Sequence, residues 1–150
     1  MSIPKLIDLL EFPNPIKVKP KKPKKIGGVL VKSENQVLLT KRSENAGKFP
    51  NHWAVPMGHV ERGEKFIEGA VREFIEETQI NIDINSVSYL DTIRDTESNR
   101  ICKIYVIELP NKPEPTLDEE HSDWGYFDTN NLPKPMKDDL RYTLELKVWV

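Results

Sequence analysis

The stretch GHVERGEKFIEGAVREFIEETQI, residues 58–80, decides the fold. From Lys65 to Thr78 the apolar residues recur every three or four positions, which at about 100° per residue places them on one broad helix face. The residues on this face are Phe66, Ile67, Ala70, Val71, Phe74, Ile75 and Thr78. The spacing therefore predicts a helix that packs its apolar face against the core of the protein.

Three glutamates lie beside this apolar face. Glu73, Glu76 and Glu77 are three or four residues apart or adjacent, so a helix stacks them along one edge on neighbouring turns. Clustering carboxylates next to an apolar surface is electrostatically unfavourable unless a cation or a proton is bound there. Magnesium prefers carboxylate and phosphate oxygens, so this edge predicts a Mg²⁺ site.

Further residues of the stretch have predicted supporting roles. Arg72 lies four residues after Glu68 and four before Glu76, so we expect it to pair along the helix and to orient the acid that follows. Glu64 precedes the helix, near the positive end of the helix dipole, and is expected to brace the loop. Gly69 either lets a loop or a phosphate approach the helix or serves packing against the sheet.

The charge is distributed unevenly along the chain. Of the 22 Lys and Arg and the 24 Asp and Glu residues, seven and two respectively lie in residues 1–25, which leaves 15 basic and 22 acidic residues. The N-terminal segment therefore carries +5 and residues 26–150 carry −7. An acidic body repels phosphate unless cations lie between them, which again indicates a divalent metal.

The 150 residues fit a single domain preceded by an arm. A short helix is predicted at residues 3–12, and the prolines that follow exclude regular helix through KVKPKKPKK. Residues 1–25 are therefore predicted to be a basic Pro/Lys-rich arm, and residues 26–150 the folded domain. The arm is either a solvated extension or a contact for RNA or polyphosphate.

Alternation and turn residues predict an α+β domain. The predicted strands are residues 26–31, 37–42, 53–55, 59–61, 87–95, 100–109 and 124–127, and a second helix is predicted at 136–148. This order favours a mixed sheet between helices over a regular βαβ repeat.

Composition excludes several classes of protein. No apolar run approaches the roughly 18 residues of a membrane helix, and the N-terminus lacks the basic start and cleavage site of a secretory signal. The one cysteine, Cys102, cannot form an intramolecular disulfide, so we expect a reducing, cytoplasmic location. Its apolar neighbours predict a strand position for Cys102 and no nucleophilic role.

The spacing within residues 58–80 resembles the Nudix box, in which the matching positions are Gly58, Glu64, the run Arg72-Glu73-Phe74-Ile75-Glu76-Glu77, and Ile80. The resemblance implies the Nudix fold, an α/β/α sandwich with a mixed β-sheet between helices. It implies hydrolysis by water of a phosphoanhydride bond in a nucleoside diphosphate linked to another moiety. It also implies that Mg²⁺ or Mn²⁺ is bound by Glu73, Glu76, Glu77 and the backbone carbonyl of Gly58.

Two positions depart from the box. Gln79 stands where the family has glycine, and glutamine incurs a steric cost in the left-handed conformation. We therefore expect the helix to end differently or to continue. Met57 stands where many members have the first glycine of Pro-Gly-Gly, which is expected to alter the loop that leads into the site.

Residues outside the box complete the predicted site. Residues 118–124 resemble a late loop that carries another glutamate in many Nudix enzymes, and Glu120 is the predicted ligand or base. Glu119 or a plain exposed turn is the alternative, and Glu76 is the other candidate for the base. The residues predicted to contact substrate are Lys41, Arg42, Trp53 and His121. The alternatives are a solvent-facing basic pair, a core position for Trp53 and a plain surface histidine.

The substrate is less determined than the chemistry. Trp53, Phe49 or Tyr89 is predicted to stack on a nucleobase. The open substrate classes are nucleoside triphosphates, dinucleoside polyphosphates and nucleotide sugars such as ADP-ribose, with a capped RNA end as a further option. The alternative to an enzyme is a catalytically weak nucleotide- or RNA-binding Nudix module, because fold alone does not guarantee chemistry.

Overall fold

The computed structural model describes residues 21–149. The predicted helix at residues 3–12 and most of the predicted arm lie outside these residues. The first strand begins at Lys24, two residues before the predicted start of the domain. No helix within residues 21–149 combines the length and the apolarity that crossing a membrane requires.

Seven strands form one mixed sheet. They are β1 (Lys24–Ser33), β2 (Gln36–Arg42), β3 (Trp53–Ala54), β4 (Met57–His59), β5 (Ser88–Asp95), β6 (Arg100–Glu108) and β7 (His121–Phe127). Their order is β3-β2-β1-β6-β5, with β4 also paired to β1 and β7 to β2. β1 and β6 run parallel and the other pairs are antiparallel. The two predicted hairpins, β1–β2 and β5–β6, are confirmed.

The turn between β1 and β2 explains their tight hairpin. Glu34 and Asn35 both have positive φ, 50° and 66°, as expected of a two-residue turn that follows the right-handed twist of the strands. The pairs Lys32–Val37 and Ser33–Gln36 close the hairpin. The register then places Leu38 on one side of the sheet and Val37 and Leu39 on the other.

The predicted short strands around the Pro56-Met57-Gly58 segment are partly wrong. Trp53–Ala54 is a strand, but the second one is Met57–His59 and ends before Val60. The reason is register: Gly58 pairs with Gly27 and Met57 with Gly28, and the missing side chains let the two backbones approach. A Cβ on Gly28 would lie 2.9 Å from the Cβ of Met57.

Two helices cover the sheet, one on each face. Helix α1 (Phe66–Thr78) and helix α2 (Asp138–Leu146) match the predicted helices within two residues at each end. Val29 and Val31 of β1 pack under α1, whereas Leu30 faces α2. The central strand is therefore buried on both faces, which explains its uninterrupted apolar run. The predicted α/β/α sandwich is confirmed.

The C-terminus of α1 differs from what Gln79 predicts. The helix ends at Thr78, and Gln79 takes the left-handed conformation with φ of 62°. Its backbone N–H donates to the Ile75 carbonyl at 2.9 Å, and its side-chain amide donates to the Glu76 carbonyl at 3.1 Å. The expectation that the helix ends differently or continues is wrong, because Gln79 itself adopts the left-handed conformation and its side-chain amide makes a hydrogen bond that glycine cannot make.

Candidate active site

A cavity of about 330 Å³ opens between the acidic edge of α1, strands β2 and β4, and the segment before β7. Its charged lining includes Glu73, Glu77 and Glu120 together with Arg42 and His121. Phe49 and Trp53 form part of its wall. The cavity thus joins carboxylates, basic groups and aromatic rings that come from five different parts of the chain.

Glu77 is the most perturbed acid of the cavity. Glu77 is 4% exposed, and its Oε2 atom is buried without a hydrogen-bond partner among residues 21–149. Burial, together with the neighbouring charges of Glu73, Asp118 and Glu120, raises the pKa of Glu77 to about 9. A buried carboxylate oxygen without a partner is costly unless a proton or a cation satisfies it.

Glu73 lies one turn before Glu77 and directly against Gly58. A Cβ on Gly58 would overlap the Glu73 carboxylate, so only glycine leaves room for this acid. Burial raises the pKa of Glu73, although the hydrogen bond from Arg72 acts in the opposite direction. The absence of a side chain at Gly58 thus brings the β4 backbone and a desolvated carboxylate into contact.

Arg72 organises the loop that precedes α1. Its guanidinium donates two hydrogen bonds to Glu64, at 2.9 and 3.0 Å, and one to the His59 carbonyl at 2.9 Å. Hydrogen bonds from Arg72 and the Glu61 backbone N–H hold the pKa of Glu64 at about 2. Glu64 and Arg72 therefore brace the loop.

Gly69 belongs to the same arrangement. A Cβ on Gly69 would lie 3.0 Å from a Val60 methyl group and 3.1 Å from Glu64 Oε1. Of the two explanations for this glycine, the close approach of a loop applies, and packing against the sheet does not.

Glu76 points away from the cavity. Its side chain is 57% exposed and accepts hydrogen bonds from Arg72 at 3.3 Å. Arg72 also donates to Glu73 at 3.0 Å. The helix edge is therefore divided: Glu73 and Glu77 line the cavity, and Glu76 lies outside it.

The start of β7 and the residue before it supply the opposite wall. Glu120 is exposed and lines the cavity, whereas Glu119 lines only a neighbouring surface hollow. His121 is 9% exposed; its Nδ1 lies 3.0 Å from Asp118 Oδ1 and its Nε2 lies 3.9 Å from Glu77 Oε2. The hydrogen bond to Asp118 orients the imidazole towards Glu77, and the sequence pattern did not single out this contact.

The predicted basic pair is split by the alternation of β2. Arg42 lines the cavity, and its charge lowers the pKa of Glu77. Its Nε donates to the Lys48 carbonyl at 2.8 Å. Lys41 does not line the cavity, because neighbouring residues of a strand point to opposite faces.

The aromatic wall has a buried part and a more accessible part. Trp53 is 9% exposed and packs edge-on against Phe127 with ring centroids 5.1 Å apart. The Phe49 ring lies under the Lys137 ammonium at 4.6 Å. Tyr89, the third predicted stacking residue, does not line the cavity.

The family sequence model of the NUDIX domain matches residues 21–146 of this chain. The chain belongs to the Nudix family. It is 32% identical over 107 residues to the ADP-ribose pyrophosphatase of Methanocaldococcus jannaschii, which is 70% of this chain and 62% of that protein. It is 49% identical over 63 residues to the m7GpppN-mRNA hydrolase NUDT17 of Xenopus laevis, or 41% of this chain and 21% of that protein.

A solved structure shows the same Nudix fold. The MutT NUDIX hydrolase of Burkholderia pseudomallei superposes with a TM-score of 0.72 at 23% identity, covering 83% of this chain and 98% of that chain. The chain spans less than two thirds of the length of the curated relatives described above.

The Nudix site fits a hard divalent cation. Glu77 Oε2 is an orphaned carboxylate oxygen, and Glu73 lies against the Gly58 backbone, so oxygen donors of the type that Mg²⁺ prefers meet at one place. Within residues 21–149, no three His, Cys, Asp or Glu side chains are grouped closely enough to form a complete cluster by themselves. The residues that could hold such a cation are Glu73 and Glu77, together with the Gly58 backbone beside Glu73.

Several lining residues of this Nudix cavity escaped sequence reasoning. Asp95, Arg100, Lys137 and Asp139 also line the cavity, and the Cys102 thiol lies 3.9 Å from the Met57 sulfur. Lys137 binds Asp95 at 3.2 Å. The strand position of Cys102 is confirmed, and burial raises its pKa to about 12. Strand alternation carries a signal for Asp95 and Arg100, which lie on β5 and β6, but not for Lys137 and Asp139, which lie at the start of α2.

Proposed function

We propose that this Nudix protein hydrolyses a phosphoanhydride bond in a nucleoside diphosphate linked to another moiety, with Mg²⁺ as its cofactor and Mn²⁺ as a substitute. The observation that carries the proposal is the orphaned Glu77 carboxylate oxygen at the base of a cavity that also holds Glu73 and Glu120. A carboxylate in that position is stabilised by a cation, and the cation in turn attracts polyphosphate.

Glu73, Glu77 and the Gly58 carbonyl are the proposed metal ligands. When bound, a divalent cation neutralises phosphate charge and polarises the phosphorus centre towards attack by water. Arg42 supplies a permanent positive charge on the wall of the same cavity for a phosphate oxygen. His121, held by Asp118, is placed to contact substrate beside Glu77.

We propose Glu120 as the general base. Two carboxylates were candidates, and their surroundings differ. Glu76 is held by Arg72 outside the cavity, so its charge is committed to an ion pair. Glu120 lines the cavity and makes no side-chain ion pair within residues 21–149, so it is free to accept a proton from the attacking water. Glu76 then acts on the metal site only through Arg72, which also binds Glu73.

The proposed substrate carries a nucleoside on one side of the diphosphate. The Phe49 and Trp53 wall suits a base or ribose. The named relatives act on ADP-ribose and on capped mRNA, so nucleotide sugars and cap-like dinucleotides are the first classes to examine. We also propose a reducing, cytoplasmic compartment, because Cys102 is a free thiol.

A nucleotide panel tests the proposal. The full chain is incubated with ADP-ribose, a dinucleoside tetraphosphate, a nucleoside triphosphate and a cap dinucleotide, each with Mg²⁺, with Mn²⁺ or with EDTA, and the products are identified by mass spectrometry. We expect metal-dependent release of a nucleoside phosphate from at least one substrate, and its loss in Glu77→Gln. Nucleotide binding without turnover under every condition would instead favour the catalytically weak binding module.

A further inference from the structure

The face of β5 and β6 opposite to the cavity carries a separate group of basic and aromatic side chains. Ile93, Asp95 and Cys102 of these strands line the cavity. Since side chains alternate along a strand, the intervening residues point to the α1 side of the sheet. Tyr105 confirms this direction, because it belongs to the core cluster beneath α1.

Strand register aligns these residues in rows. Lys25 of β1 pairs with Ile101 of β6, which pairs with Arg94 of β5. The adjacent row joins Lys103 to Thr92. Alternate residues of a strand lie roughly 6.6 Å apart, so the cationic side chains of Lys25, Arg94 and Lys103 share a small area of one face.

The cations of this face lack acidic partners. The Lys25 and Lys103 ammonium groups lie 5.6 and 4.6 Å from the centre of the Phe66 ring. Within residues 21–149, neither lysine nor Arg94 forms a salt bridge. Residues 26–150 carry a net charge of −7, so three uncompensated cations on one face stand out from their surroundings. Such a group attracts a polyanion.

Aromatic rings lie beside the cations. Tyr89 is 57% exposed, and its ring meets Tyr105 edge-on with centroids 6.0 Å apart. Its hydroxyl lies 2.6 Å from Thr92 Oγ1, which fixes the orientation of the ring. An exposed, fixed ring next to unpaired cations offers a stacking surface for a base and charge for the adjoining phosphates.

The N-terminal chain enters the domain close to this surface. The Lys24 N–H donates to the Asn99 carbonyl at 2.9 Å, and the Asn99 side chain donates to the Lys21 carbonyl at 3.2 Å. The chain therefore enters the domain at the turn between β5 and β6, the strands that carry Arg94 and Lys103. Lys21 is exposed there, whereas Lys24 pairs with Arg100 and therefore lies on the cavity face of the sheet.

We propose that the surface formed by Lys25, Phe66, Tyr89, Arg94 and Lys103 binds single-stranded RNA, as a site separate from the cavity. Sheets that present aromatic and basic side chains bind single strands by stacking bases and neutralising phosphates, without reading a sequence. This inference does not rest on the proposed hydrolase activity, because the opposite face of the sheet forms the cavity.

Fluorescence anisotropy with a 12-nucleotide oligouridine tests the proposal. The oligouridine has a 5′-hydroxyl and contains no phosphoanhydride, and EDTA is present, so hydrolysis does not enter. Arg94→Gln/Lys103→Gln is expected to weaken binding and to reduce the slope of log affinity against log salt by about 1.4. The control variant Lys112→Gln/Lys134→Gln removes the same charge elsewhere and should leave both the affinity and the salt slope unchanged.

A second pair of variants tests stacking. Tyr89→Ala should weaken binding about tenfold. The matched control is Tyr142→Ala, which removes a tyrosine that is 59% exposed on α2 and should have no effect. Circular dichroism and thermal melting confirm that each variant is folded.

Three results would overturn the proposal. The first is that the parent does not bind oligouridine. The second is that test and control variants lose affinity equally, which would indicate diffuse attraction to lysines. The third is that a 12-base-pair RNA duplex binds as well as the single strand, which would exclude base stacking.

Discussion

Replacing Glu77 with glutamine tests the electrostatics of the site most directly. Burial raises the pKa of Glu77 from 4.5 to about 9 in the folded protein. Without metal, the folded protein at pH 7 keeps this proton and the unfolded chain has lost it. The pKa of Glu77 is higher in the folded protein than in the unfolded chain. Its contribution to the free energy of unfolding is therefore fully present below the unfolded pKa and is lost as pH rises towards about 9.

The magnitude follows from that difference in pKa. At about 1.36 kcal/mol per pH unit, the carboxyl lowers the free energy of unfolding at pH 7 by at most about 3 kcal/mol relative to a permanently neutral group. Glu77→Gln provides that neutral group at nearly the same volume. We expect the variant to raise the free energy of unfolding by up to about 3 kcal/mol at pH 7, and by less than about 1 kcal/mol at pH 5.

Urea unfolding in EDTA at both pH values measures this gain. Mg²⁺ should stabilise the parent and leave Glu77→Gln unchanged, and the variant should lose most of its turnover. Glu76→Gln is the matched control: its side chain is 57% exposed, so its effect on stability should be small and similar at both pH values. An equal gain at pH 5 and pH 7, or turnover within about threefold of the parent at saturating Mg²⁺, would refute the reasoning.

Three further predictions concern other parts of the molecule. Glu120→Gln should lower kcat at least about a hundredfold with little change in the Mg²⁺ requirement, whereas Glu119→Gln should be nearly silent; equal, small effects would return the role of base to Glu76. Gly58→Ala should raise the Mg²⁺ concentration needed for activity, because its Cβ overlaps a carboxylate, whereas Gly47→Ala, whose Cβ would meet nothing within 4 Å, should behave as the parent in a metal titration. Deleting residues 1–20 should leave a folded, active domain by circular dichroism and nucleotide assay, and insoluble protein would contradict the predicted arm.

The parts of the fold that sequence predicted well are those with strong periodicity. Helix α1 was predicted within one residue, because its apolar face and its acidic edge both repeat at helical spacing. Both long hairpins were predicted within a few residues, because apolar strand segments flank polar turn residues in each. The β4 strand was misplaced, since two glycines of β1 determine where it pairs, and a glycine carries no hydrophobic pattern.

The site was predictable where it depends on one helix and less so elsewhere. Glu73 and Glu77 follow from spacing alone. That Glu76 faces solvent depends on the Arg72 side chain, which bonds to residues both before and within the helix. The pairing of His121 with Asp118 is a local contact that the prediction did not include. The ion pair of Lys137 with Asp95 depends on a tertiary contact between distant segments. A single sequence contains no local signal for such contacts.

The end of α1 has a consequence for how relatives of this chain are found. Gln79 occupies the left-handed position with φ of 62° and returns its amide to the Glu76 carbonyl. Asparagine is also tolerated in this conformation, and its shorter amide is suited to local hydrogen bonds. A search pattern that demands glycine after the paired acids would therefore pass over this protein, while one that admits amide side chains at that position would retrieve it.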